Sequence, residues 1–173
     1  MIPSIKNETN KNSYLILFAF ITLLSLTIMN YGCASYKQAL EANGIEYSGD
    51  SFIRQAARGN IDNVALFIKS GIDINFKDQT NSTALMRASA NGQTEVVKLL
   101  IEKRADINAV DNSSSTALMH ATYNNHADIV KLFIRRKADL NVKNKSNETA
   151  LRYATRVNYV EIMMLLNNAG ASE

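Results

Sequence analysis

Few residues in this chain carry the equipment for chemistry, and most of those recur at a fixed step. Asp73, Asp106 and Asp139 stand 33 residues apart and form a row of carboxylates, the material of acid–base work or of a hard cation site. Each opens the same tripeptide, Asp-Ile-Asn or Asp-Leu-Asn, so the row reads as repeated turn and cap hydrogen bonding. His120 and His126 are the two histidines. His120 replaces Arg54 and Arg87 of the aligned segments, and neither histidine has a cysteine or second histidine paired with it. Cys33 is the single cysteine, which excludes an intramolecular disulfide and a zinc site built from cysteines. No glycine-rich phosphate loop and no G-x-S-x-G elbow occurs. No catalytic residue, metal, cofactor or small-molecule substrate is expected.

The densest cation runs are Lys103-Arg104 and Arg135-Arg136-Lys137. They read as charges that complement helix C-termini, or as a site for an anionic partner or lipid head groups. The whole chain carries 19 Lys and Arg against 16 Asp and Glu, a net charge of +3. A nucleic-acid binder would carry a denser basic field, so nucleic acid is not expected as a partner. At 46% apolar the chain can bury a core, and its 173 residues allow one domain plus a tail.

The tail comes first. Residues 14–29 are sixteen residues without a charge, preceded by Lys6, Glu8 and Lys11. As a helix this run rises about 24 Å, short of a hydrocarbon core of roughly 30 Å. It stops just before Gly32-Cys33-Ala34-Ser35. That ending resembles a bacterial lipoprotein signal, in which the cysteine is lipidated and becomes the new N-terminus. Such signals usually carry leucine three residues before the cysteine, where this chain has Asn30. Lipidation at Cys33 is the leading expectation, with an uncleaved membrane anchor and ordinary signal cleavage as the alternatives. In each case residues 1–32 export the chain or hold it at a membrane. Ala34-Ser35 lacks the aspartate that retains many such proteins at the inner membrane. The expected location is therefore the outer membrane facing the periplasm, or else a single-pass inner-membrane anchor. Residues 33–44 form a linker with a short helix that stops at Gly44.

The remainder, 45–173, repeats. Thr-Ala-Leu recurs at 83–85, 116–118 and 149–151. Leu66, Leu99, Leu132 and Leu165 fall on the same step, and residues 83–110 and 116–143 share 13 identities without a gap. Each unit reads as two short helices, the first capped by Thr83 or its equivalents, the second with one apolar face at Val96, Val97, Leu99 and Leu100. Neither helix buries its apolar face alone, so the units must stack.

Thr83-Ala84-Leu85-Met86, Gly92, Val96-Val97-Lys98-Leu99-Leu100, Ala105-Asp106-Ile107-Asn108 and Asp111 resemble the ankyrin repeat. The resemblance implies an all-α solenoid of about four helix–loop–helix units, at 45–77, 78–110, 111–143 and 144–173, behind the apolar N-terminal signal or anchor helix. The chain departs from the family pattern at four repeat positions. Alanine replaces the proline, Met86, Met119 and Arg152 replace the histidine, Asn81, Ser114 and Asn147 replace the loop-tip glycine, and Arg104 and Lys137 replace the glycine that ends the second helix. A left-handed backbone at those last two would cost about 1 kcal/mol each.

The resemblance further implies a non-catalytic module that binds a protein partner through its concave side. Carried over by position, that side comprises Gln79, Thr80, Ser82, Ala90 and Asn91, then Asn112, Ser113, Ser115, Tyr123 and Asn124, then Lys145, Ser146, Glu148, Arg156 and Val157. Tyr123 is the expected anchor, or else lies on its own helix pair. A scaffold of a membrane or periplasmic complex, or a protective partner of an exported enzyme, is the alternative function. The last helix carries Val160 where the other units have Ile61, Thr94 and Ala127, and Met164 where two others have Lys98 and Lys131, so an apolar end face is expected.

Overall fold

The computed structural model describes residues 32–172, and all its regular elements are helices. A first helix, α1, occupies 32–42. Four pairs follow: α2 (Gly49–Arg58) with α3 (Ile61–Lys69), α4 (Ala84–Ala90) with α5 (Thr94–Glu102), α6 (Ala117–Tyr123) with α7 (Ala127–Arg135), and α8 (Ala150–Val157) with α9 (Val160–Asn168). The expected signal or anchor at 1–32 lies outside the described residues except for Gly32. Among the described residues, no helix is long and apolar enough to cross a membrane.

Local chemistry sets each helix boundary. The Thr83, Thr116 and Thr149 hydroxyls accept from the backbone N–H groups of Met86, Met119 and Arg152, capping α4, α6 and α8. In the degenerate first unit Ser48 takes that role through Ser51. Between the paired helices the chain reverses through a left-handed residue: Gly59, Gly92, Asn125 and Asn158. At Gly92 close packing adds a second constraint, since a Cβ there would fall 2.7 Å from the His126 ring of the next unit.

Two layers result. The first helices pack in the order α2, α4, α6, α8, and the second helices as α3, α5, α7, α9. Alanines 56, 84, 88, 117, 121, 150 and 154 are buried between the first helices and allow their close approach. Leu85, Met86, Leu118, Met119, Phe52, Phe67 and Phe133 fill the space between the layers. Burying a side chain of this size contributes about 1.5–3 kcal/mol. Met86 and Met119, at the position of the family histidine, are each 1% exposed, so packing replaces the polar tie. Ser89 and Thr122, 33 residues apart, are buried in the first layer without a hydrogen-bond partner for their hydroxyls.

The segment read as a linker is part of the packed structure. Leu40 on α1 is fully buried, and the Tyr47 ring stacks on Phe67 at 5.6 Å. The Cys33 thiol donates to the Ser70 carbonyl at 2.7 Å, and the Tyr47 hydroxyl donates to the same oxygen at 3.0 Å. Helix α1 thereby covers one end of the stack. Among the described residues, nothing covers the other end in the same way: Val160 is 50% and Met164 55% exposed.

Candidate protein-docking face

The loop tips are built from one repeated device. Asp78 Oδ1 accepts the backbone N–H groups of Thr80 and Ser82, Asp111 Oδ1 those of Ser113 and Ser115, and Asn144 Oδ1 those of Ser146 and Glu148. Each tip then needs a left-handed residue, supplied by Asn81, Ser114 and Asn147 at φ 58°. Adjacent tips are joined: Asn112 N–H donates to the Thr80 carbonyl at 3.0 Å and Lys145 N–H to that of Ser113 at 2.9 Å. At the base of each loop, Asn75, Asn108 and Asn141 accept through Oδ1 from the backbone of the next unit, at Asp106, Asp139 and Ser172. The tips are therefore fixed relative to one another before any partner arrives.

Side chains of the first helices reach back to these tips. Arg87 donates to Asp78 Oδ2 at 3.1 Å and to the Thr80 hydroxyl at 3.0 Å. One unit on, His120 Nε2 lies 2.9 Å from Asp111 Oδ2. Burial acts to raise the Asp78 pKa, but the Thr80 hydroxyl, the Ser82 and Thr80 N–H groups and Arg87 outweigh it and hold the group at about 2.

The last two units add aromatic surface. Tyr123 and Tyr153 lie with ring centroids 4.4 Å apart at 59°, and Tyr159 follows at 6.4 Å from Tyr153. The Arg156 guanidinium sits 4.9 Å over the Tyr153 ring while its Nε donates to Glu148 at 3.0 Å. The Tyr123 hydroxyl accepts from Asn144 at 2.8 Å. Burial pushes the Tyr123 pKa up, and Glu148 and Tyr153 add to the effect against hydrogen bonds with Ser115 and Asn144. Its phenol thus stays neutral.

Of the residues expected on this face, Gln79, Thr80, Asn91, Asn112, Ser113, Asn124, Lys145, Ser146 and Arg156 are exposed. Ala90, Tyr123, Glu148 and Val157 are half-buried. Ser82 and Ser115 are 3% exposed, because each closes its loop tip from below, so neither offers surface to a partner. Asn91 and Asn124 turn their amides onto the Arg87 and His120 carbonyls of their own helices. The structure brings Tyr123, Glu148 and Arg156 together with Tyr153, Tyr159 and Asn144, three residues the sequence reading passed over. Tyr153 occupies the repeat position of Arg87 and His120, which was the available signal. Cys33 lies apart from this face, against the C-terminus of α3.

The remaining chemistry-bearing residues have structural work. Asp73, Asp106 and Asp139 accept the N–H groups of Asn75, Asn108 and Asn141 at 2.9–3.0 Å, the expected turn bonds. His126 Nε2 lies 3.1 Å from the Ala90 carbonyl and ties two units together. Among the described residues, no group of three His, Cys, Asp or Glu is placed to hold a metal ion.

A family model for ankyrin repeats in three copies matches the chain over residues 24–111, 52–144 and 85–172. No curated protein matches the chain.

Proposed function

The chain belongs to the ankyrin-repeat family, and on that premise we propose that it is an exported, membrane-tethered module that docks a protein and has no catalysis of its own. Ankyrin repeats generally mediate protein–protein interaction. The observation that carries the docking reading is the Tyr123–Tyr153–Arg156 cluster beside a pre-formed row of exposed hydroxyls and amides. Tyrosine and arginine are the residues that most often anchor protein interfaces. Their rings and guanidinium are already ordered by Asn144 and Glu148, so little side-chain freedom remains to be lost on binding.

The tether is residues 1–32 with Cys33. Lipidation would replace the Cys33 S–H, and the Tyr47 hydroxyl would still satisfy the Ser70 carbonyl. The outer membrane facing the periplasm is the proposed location, with a single-pass inner-membrane anchor as the alternative.

Both parts have a test. Tyr123→Ala and Arg156→Ala in the full chain should each weaken binding of a captured partner about 10-fold or more, while Lys98→Ala on the second layer should not. Binding that survives both changes and is lost in Lys98→Ala would move the interface to the second layer. The mass of the mature protein decides the tether. An acylated chain starting at Cys33 supports lipidation, and an intact Met1 supports the anchor.

A further inference from the structure

We propose that the edge formed by the C-terminal ends of α3, α5 and α7 lies against a bilayer surface rich in anionic head groups, and so sets how the tethered solenoid is presented. The proposal rests on the tethered reading of residues 1–33.

Three observations meet at this edge. The first is charge. The second-layer helices pack side by side in order, so their C-termini align over a row of about 20 Å at ordinary helix spacing. That row carries Lys69, Lys103, Arg104, Arg135, Arg136 and Lys137, all exposed. None of the six forms an ion pair with any described residue. Glu102 lies within the row, and Asp73, Asp106 and Asp139 are exposed in the following turns, each keeping its negative charge while Oδ1 accepts a local backbone N–H. Six cations against these four acids leave the edge net positive.

The second is backbone strain. Arg104 and Lys137 have φ of 67° and 58°, at the position where Gly71 and Gly170 have 80° and 82°. A helix C-terminus favours a nearby cation, but that preference does not require the cation to occupy the left-handed residue itself. Two units keep a long basic side chain where glycine would relieve the backbone.

The third is where the chain arrives. Cys33 touches Ser70, the residue after α3, and Lys69 Nζ lies 5.6 Å over the Tyr36 ring of α1. The uncharged run 14–29 ends three residues before Gly32. A tether at 14–29 or on Cys33 therefore delivers this edge, rather than the loop tips, to the membrane. The unit farthest from Cys33 ends in Asn167-Asn168-Ala169-Gly170, without a cation.

The test uses the full chain returned from detergent to vesicles of phosphatidylcholine, with or without one third phosphatidylglycerol. Flotation reports the tether, and lysine acetylation read by mass spectrometry reports the edge. Lys69, Lys103 and Lys137 should react about fivefold more slowly on the anionic vesicles, the factor expected for a cation held near such a surface. Lys98 and Lys145 should react alike on both. Half-molar salt should abolish the protection. So should Arg135→Gln with Arg136→Gln and Lys137→Gly, at Lys69 and Lys103, without loss of flotation. Flotation with equal reactivity on the two vesicles would overturn the proposal and leave the tether standing. Failure to float with either would remove the tether, and the proposal with it.

Discussion

The Asp78 carboxylate divides its two oxygens between two tasks: Oδ1 closes its own loop tip and Oδ2 takes the Arg87 guanidinium at 3.1 Å. Its pKa, about 2 in the fold against an ordinary 3.8, lies below the unfolded value. The ionised form is thus the one the fold stabilises. Its contribution is complete above about pH 4 and is lost as the pH falls through the folded pKa. Asn144 closes the equivalent tip with the same two Oδ1 bonds, so an amide fits the turn. Asp78→Asn should cost roughly 1–2 kcal/mol near neutral pH, after allowance for the part-exposed Arg87, and much less at pH 2. Denaturant titrations at the two pH values check this. An equal cost at both would assign the effect to the turn alone.

Arg104 and Lys137 make a second case. Arg104→Gly and Lys137→Gly should each raise stability by about 0.5–1 kcal/mol, since glycine accepts the left-handed backbone without strain. The denaturation midpoint is the measurement. An unchanged or lower midpoint would mean that the greater freedom of glycine in the unfolded chain outweighs the strain relieved.

The exposed face of the last described helix supplies the third. Lys131 Nζ reaches Glu161 at 2.7 Å, across to the next unit, and Met164 stands one repeat on from Lys131 on that face. Met164→Lys with Val160→Thr should leave stability equal or higher, because both side chains are about half exposed. If a partner or a dimer is lost at unchanged stability, the end face is a contact surface, and the scaffold reading gains on the first-layer docking face.

Much of this architecture was legible in the residues. The 33-residue step, the threonine caps and the left-handed positions are local, and each rests on a side chain or a backbone angle within a few residues of itself. Asp73, Asp106 and Asp139 are turn residues for the same reason. What depends on distance did not show. Repeat position alone puts Ser82 and Ser115 on the surface, yet each is buried by its own loop tip. Tyr153 and Tyr159 carry no local signal of a site. Only the stacking of α6 against α8 brings Tyr153 to 4.4 Å from Tyr123, 30 residues away in the chain. The short helix of the linker at 33–44 was legible, but its docking was not, because its one deeply buried residue, Leu40, gives no periodic signal. A repeat determines its own shape from short-range chemistry. Which side chains meet between repeats, and which edge the incoming chain touches, is decided by packing across the stack.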